Sequence, residues 1–397
     1  MKDSKTPPHI LPVIVIAQFA GTALWFAGNA IMPELQALYD LPETALGWMT
    51  ALVQLGFICG TLIFAFFLLA DRFSPSRVFM VSAILGGLLN LLMLVDQAGL
   101  WSLLIIRFMT GIFLAGIYPI GMKIAADWFS GGLGKALGFL VGALVLGTAF
   151  PHLIRAGTGS FGIAPVVIGT SLAAIAGGLI IGFGVPDGPF RKKGARFNPR
   201  IIKQIFQNKP FRAAAFGYFG HMWELYAFWA FVPIFIELYL GQVYTASVSM
   251  WSFLVIATGA LGCILGGYWS MKIGSARIAF GMLLLSGLFC LCSPLIWELK
   301  PLLFLPLLMI WGFSVVGDSP QFSTLVAKTA PQLYVGSALT IVNGIGFTVT
   351  IFSIQLLGYL QFVLPPQYLF LPLLVGPLLG LKAVSSLLST NNQRKNS

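Results

Sequence analysis

Charge is what this sequence has least of. Only 9% of its 397 residues are Asp, Glu, Lys or Arg, where a soluble domain carries about a quarter, and an ordinary soluble enzyme is thereby excluded. Cysteine is sparse as well: Cys59, Cys263, Cys290 and Cys292 lie inside apolar runs, without the CxxC spacing or partnering histidines of a metal or disulfide framework. The three histidines are scattered and make neither a catalytic nor a metal-binding cluster. There is no GxxxxGK[ST] phosphate loop and no HExxH pair, so neither ATP hydrolysis nor metalloprotease chemistry is supported. No cofactor and no metal are expected, and the chain is not read as an enzyme.

What is present is apolar surface: 58% of residues are hydrophobic and the mean hydropathy is +0.91. One spanning helix with its loop needs roughly 33 residues, because a bilayer core of ~30 Å takes ~20 residues at 1.5 Å each. The chain length therefore accommodates about twelve spans and leaves no soluble domain over. Apolar windows run at about 10–38, 44–70, 77–95, 99–125, 133–155 and 162–184, and again at about 211–239, 245–270, 275–295, 301–327, 333–361 and 366–389. Between the two sets lies the one long polar stretch, VPDGPFRKKGARFNPRIIKQIFQNKP, which opens on Pro186, Gly188 and Pro189 as a linker does. The first window follows Lys2, Asp3 and Lys5 and is too long for a cleaved signal, so it reads as an uncleaved anchor.

The net charge of +11 is not a nucleic-acid patch. With the amino terminus inside, all but three of the 23 Lys and Arg fall at cytoplasmic ends and loops, the exceptions being Arg107, Arg155 and Lys300. That is the distribution the positive-inside rule describes. Both termini are expected in the cytoplasm of a cell whose inner membrane carries the protein, with lipid as the surroundings and nucleic acid excluded as a partner.

Sliding the second half on the first at an offset of about 200 shows a repeat. FLLADRFSPSR (Phe67 to Arg77) falls on GYWSMKIGSAR (Gly267 to Arg277), Pro33 on Pro233 and Tyr39 on Tyr239. One residue further, Gly111, Gly116 and Pro119 meet Gly312, Gly317 and Pro320. Six plus six helices related by a parallel repeat describe a transporter body. The fold expected is an all-α integral membrane protein with twelve transmembrane helices in two pseudo-symmetric six-helix bundles, residues 1–184 and 211–397, joined by a cytoplasmic basic linker over 185–210.

These residues resemble the major facilitator superfamily over nearly the whole chain. LLADRFSPSR, Leu68 to Arg77, resembles the signature loop GxLaDRxGRR, departing from it at Phe67 and Ser74 while Asp71, Arg72 and Arg77 match. Arg107, Gly111 and Gly116 in RFMTGIFLAG resemble the RxxxG pattern of the fourth helix, and Gly138, Gly142 and Gly147 part of an antiporter motif. The resemblance implies a central cavity lined chiefly by helices one, four, seven and ten. It also implies a cytoplasmic gate of Asp71, Arg72, Arg77 and Asp127, in which Asp71, Arg77 and Asp127 latch the outward-open state.

Independently, the mid-membrane charges fall on helices four, seven and ten: Arg107, Glu224 and Asp318. A charge at the bilayer centre costs at least ~2.5 to 3.5 kcal/mol, so it is kept only facing a cavity or a partner. Arg107 and Glu224 are expected to line one solvent-filled pocket; the bland reading is a structural network. His221 stands one turn before Glu224 and His152 one turn before Arg155, so each pair shares a helix face. Arg155 is expected to snorkel to the interface. From the aromatics of helices one and seven, Trp25 and Tyr226 are chosen as pocket walls. Gln18, Asn29 and Asn343 are buried amides able to bond a solute or another helix. The glycine pairs Gly56/Gly60 and Gly262/Gly266 read as close helix packing.

The function expected is secondary active transport of a small organic solute, anionic or zwitterionic because basic Arg107 opposes the acids, coupled to protons, and performed by a monomer. The alternatives are proton-driven efflux of amphipathic compounds and, from another class, a non-transporting membrane sensor. Single cysteines in 186–210 and in the Leu41 to Thr44 turn are expected to label from the cytoplasmic and the external side respectively; labelling of both from one side overturns this topology.

Overall fold

The computed structural model describes residues 7–95, 99–129, 133–159, 161–191, 201–241, 245–331 and 334–393. Among these residues the chain is helical and has no strand. Eleven helices are long and apolar enough to cross a membrane, and Ile10–Thr22 opens a twelfth crossing. Span 1 runs from Ile10 through a turn at 23–26 to Met32–Tyr39. Spans 2 to 6 are Ala45–Phe66, Pro75–Leu94, Leu100–Trp128, Lys135–Thr158 and Ala164–Gly184. Spans 7 to 12 are Lys209–Leu240, Ser247–Ile273, Ser275–Trp297, Pro301–Thr329, Val335–Leu360 and Pro366–Leu388. The windows read from hydropathy fall on these helices one for one. Much of the connecting segment, 192–200, lies outside the described residues.

The repeat seen in the sequence has a structural counterpart at several matched positions, though not at Pro33, which opens a helical segment, and Pro233, which lies inside one. Tyr39 donates its hydroxyl to the carbonyls of Met93 and Val95 at the end of span 3, and Tyr239 donates to that of Leu299 at the end of span 9. Spans 4 and 10 both break in mid-membrane, at 115–117 and at Asp318, and each break is followed by a proline, Pro119 or Pro320, in the first turn of the next segment. Proline has no N–H to give the preceding turn and its ring clashes there, so the helix ends and restarts.

Just before each break a glycine lets span 4 or 10 approach span 2 or 8. A Cβ on Gly111 would meet the Val53 carbonyl oxygen at 2.2 Å, and one on Gly312 would meet that of Val255 at 1.9 Å. Gly56 and Gly262 approach the carbonyls of Phe108 and Phe313 in the same way. The close-packing reading of these glycines is therefore the right one.

The two halves meet along two seams. Span 5 packs on span 8, where Gly142 faces the Ala260 carbonyl, and span 2 packs on span 11, where Gln355 donates to the Gly47 carbonyl at 3.0 Å. Every ion pair among the described residues stays within one half or its adjoining connector. Arg155 does not snorkel: it holds Glu34 of span 1 at 2.8 Å.

Gly111→Val and Gly312→Val are each expected to cost about 1 to 3 kcal/mol or more by overpacking, read as a lower apparent Tm of the purified protein. Gly281→Ala, where a Cβ meets nothing within 4 Å, is expected to leave Tm unchanged or raise it.

Candidate functional site

A cavity of about 1170 Å³ lies between the halves. Its walls come from the ends of spans 2, 4 and 5 on one side and of spans 7, 8, 10 and 11 on the other, all at the membrane face that carries the 185–210 segment. Towards that face spans 2 and 11 separate: Thr61, Phe64 and Leu68 face Leu339, Thr340 and Asn343 across open space. Span 1 contributes nothing to the lining, contrary to the expectation of a wall from spans 1, 4, 7 and 10. Its part is to close the cavity from above.

The closure is aromatic. Trp25 of span 1 and Phe57 of span 2 have ring centroids 4.9 Å apart, and both reach across to Phe347 of span 11, at 5.7 and 4.5 Å. Tyr226 of span 7 completes the layer, 5.6 Å from Trp25 and 5.2 Å from Phe347. Trp25 is held in place because its indole N–H donates to Gln54 Oε1 at 3.2 Å. Trp25 and Tyr226, chosen from the sequence as walls, are thus brought into contact, while Phe57, Phe347 and Gln54 were missed. Asn29 donates to Thr50 Oγ1 at 2.7 Å within the first half and does not line this cavity.

The three mid-membrane charges do not meet across a pocket, and none of them lines the cavity. The turn at 23–26 leaves backbone carbonyls of span 1 without helical donors, and fully buried Arg107 supplies two of them, donating to Leu24 O at 3.0 Å and to Trp25 O. Glu224 instead points into the second half. It accepts from Trp311 Nε1 at 2.9 Å, Ser286 Oγ at 2.9 Å and Cys290 Sγ at 3.4 Å.

His221, expected beside Glu224, turns to the break in span 10, where its Nδ1 stands 2.8 Å from Asp318 Oδ1. Both residues are buried, so span 7 carries one acid of its own and grips a second.

At the mouth, the expected gate is differently paired. Asp71 meets Lys123 Nζ at 3.1 Å, and the same ammonium lies 3.8 Å from Asp127. Arg72 and Arg77 are exposed, and among the described residues neither pairs with a carboxylate. Lys123 takes the central position because it sits one turn before Asp127 on span 4 and faces the loop, a spacing legible in the sequence.

The start of the connecting segment clamps the same loop. Ser74 donates to Asp187 Oδ1 at 2.7 Å, Arg191 pairs with Asp187 and donates to Phe73 O at 2.7 Å, and Trp128 Nε1 donates to Pro186 O at 3.0 Å.

A part-aromatic cavity between two repeats, with its charged residues, Asp71, Lys123, Lys135 and Lys328, towards the mouth, open at one face and shut at the other, has the form of a solute pathway. The fold is similar to that of a variant of the nucleoside transporter NupG, at 11% identity and a TM-score of 0.72, over 95% of this chain and 99% of that one. It is also similar to a bacterial homologue of the human lysosomal transporter Spinster in an inward-facing and unoccupied conformation, at 13% identity and a TM-score of 0.68, over 97% of this chain and 95% of that one. No curated protein matches the sequence. The Major Facilitator Superfamily pattern matches residues 14–354, which takes in most of both halves, and the chain belongs to that superfamily.

Proposed function

We propose that this multi-pass membrane transporter moves a small organic solute by alternating access, with the 1–184 and 211–397 bundles rocking about the cavity and 185–210 joining them. In this reading the face with the connecting segment and both termini is cytoplasmic, the membrane is the cell's inner membrane, the conformation is inward-open, and a single chain suffices. The observation that carries it is the cavity of about 1170 Å³ with splayed helices on one side and the Trp25, Phe57, Tyr226 and Phe347 layer on the other. The charge distribution along the sequence supports the orientation.

The expectation of an anionic or zwitterionic solute rested on Arg107 facing the acids. With Arg107 engaged by backbone carbonyls, that support falls away.

Proton coupling rests on the second half. Glu224 and Asp318 are buried acids with no Lys or Arg in ion-pair range among the described residues, and such intramembrane acids mark proton relays. His221 against Asp318 adds an imidazole that can take up or give a proton there. Glu224 is assigned the coupling proton, and the Asp318–His221 pair stands beside it one turn away on span 7.

Two experiments test this. Cysteines at Gly47 and Gly358, where a Cβ on Gly358 would stand 4.0 Å from Gly47 Cα on the closed side, are expected to crosslink under oxidation and to stop transport until reduced, in a background where Cys59 and Cys292 are serine. Undiminished transport by the oxidised protein contradicts alternating access. Glu224→Gln is expected to lower pH-gradient-driven accumulation in proteoliposomes by about tenfold or more, since a required intramembrane carrier is gone, and to retain exchange at zero gradient. Full accumulation by Glu224→Gln removes Glu224 from the coupling and leaves Asp318, with Asp318→Asn as the comparison.

A further inference from the structure

We propose that the cavity takes an uncharged ring solute carrying several hydroxyl or amide groups, a substrate class that rests on the transporter reading and extends it. The first observation is a set of uncommitted polar side chains. Tyr118, Tyr218, Gln321 and Asn343 line the cavity, and among the described residues none of these four side chains has a hydrogen-bond partner in the protein. Two hydroxyls and two amides supply donors and acceptors and no charge.

The second observation is their common depth. Tyr118 lies ten residues before the end of span 4, Tyr218 nine after the start of span 7, Gln321 eight before the end of span 10 and Asn343 eight after the start of span 11. At 1.5 Å per residue all four stand about 12 to 15 Å in from the open face. The charged lining residues stand nearer the mouth. Lys123, the deepest of the lysines, is five residues from the end of span 4, about 8 Å in. It is already held by Asp71 and Asp127, and Lys135 lies over the Tyr268 ring.

The third observation is where the membrane-depth charges went. Arg107 is turned onto backbone carbonyls, Glu224 onto Trp311, Ser286 and Cys290, and Asp318 onto His221. An ion at the four-residue layer finds no counter-charge lining the cavity there, and its desolvation is left uncompensated. A neutral solute with hydroxyl or amide groups matches every open valence. The Tyr118 and Tyr218 rings, the former backed by Trp25 of the closing layer at 6.5 Å, present flat apolar faces to a ring.

The test is binding to the purified full-length protein by thermal shift and calorimetry. The compounds are hexoses, pentoses, nucleosides and lactams, set against organic carboxylates and quaternary amines. Binding by a neutral ring compound is expected, weakened about three- to tenfold by Gln321→Leu, Asn343→Leu, Tyr118→Phe or Tyr218→Phe as one neutral hydrogen bond is lost, and unchanged by Lys382→Gln, exposed on span 12 and away from the cavity. Which neutral arm binds separates sugars from nucleobase compounds. Gln321→Asn and Asn343→Ser replace any leucine variant that fails to fold. Binding confined to the ions, no binding by any neutral compound, or neutral binding indifferent to all four positions overturns the proposal. Because binding is read without a membrane, a neutral ligand that is bound but never moved in proteoliposomes counts against transport and leaves the substrate class standing.

Discussion

A bilayer offers no water to a broken helix, so every backbone carbonyl released within it must find a donor in the protein. Arg107 answers that constraint, and much of the rest depends on how it does so. By supplying the Leu24 and Trp25 carbonyls, it lets span 1 bend where Trp25 has to swing across the cavity. Without such a donor the turn at 23–26 would strand polar groups in a dry interior, and the aromatic layer would have no fixed anchor.

The same logic keeps strong interactions off the boundary between the halves. Asp71, Asp127 and Lys123 are paired inside the first half, and Asp318, His221 and Glu224 find their partners inside the second. What crosses the boundary among the described residues is weaker and easily remade: ring contacts worth about 0.5 to 1.5 kcal/mol each, glycine approaches, Lys135 over the Tyr268 ring and one side-chain hydrogen bond, from Gln355 to Gly47. In the proposed rocking, two halves joined in this way would exchange one set of seams for another at small cost, whereas an ion pair across the cavity would resist. Keeping the membrane-depth charges inside each half is also what leaves the deep cavity free of fixed charge.

The twelve windows, the repeat and the glycine seams were legible in the sequence because each depends on one-dimensional signals: apolar length, an offset of about 200, and small residues at fixed spacing. Which way a side chain points inside a bundle is not such a signal. His221 shares a helix face with Glu224, yet the break that Pro320 makes in span 10 places the Asp318 carboxylate nearer. Arg107 was read against distant acids because its partners are main-chain atoms, invisible in composition. At the mouth, Asp71 and Asp127 share Lys123 and not Arg77; the one-turn spacing of Lys123 and Asp127 carries that pairing in the sequence, whereas the signature loop points to its own arginines.

The central claim is that the halves move against each other as bodies about the aromatic layer. Spin labels at Phe73 and Ile273 sit on equivalent, exposed positions at the open face, and labels at Leu38 and Leu238 on equivalent, exposed positions at the closed face. Distances measured by electron double resonance in lipid nanodiscs, with and without Trp25→Ala to loosen the layer, test that claim directly. The account predicts that the variant adds a population in which the Phe73–Ile273 distance shortens while the Leu38–Leu238 distance lengthens. Two distances that shift in the same sense, or that stay fixed when the layer is removed, would contradict it.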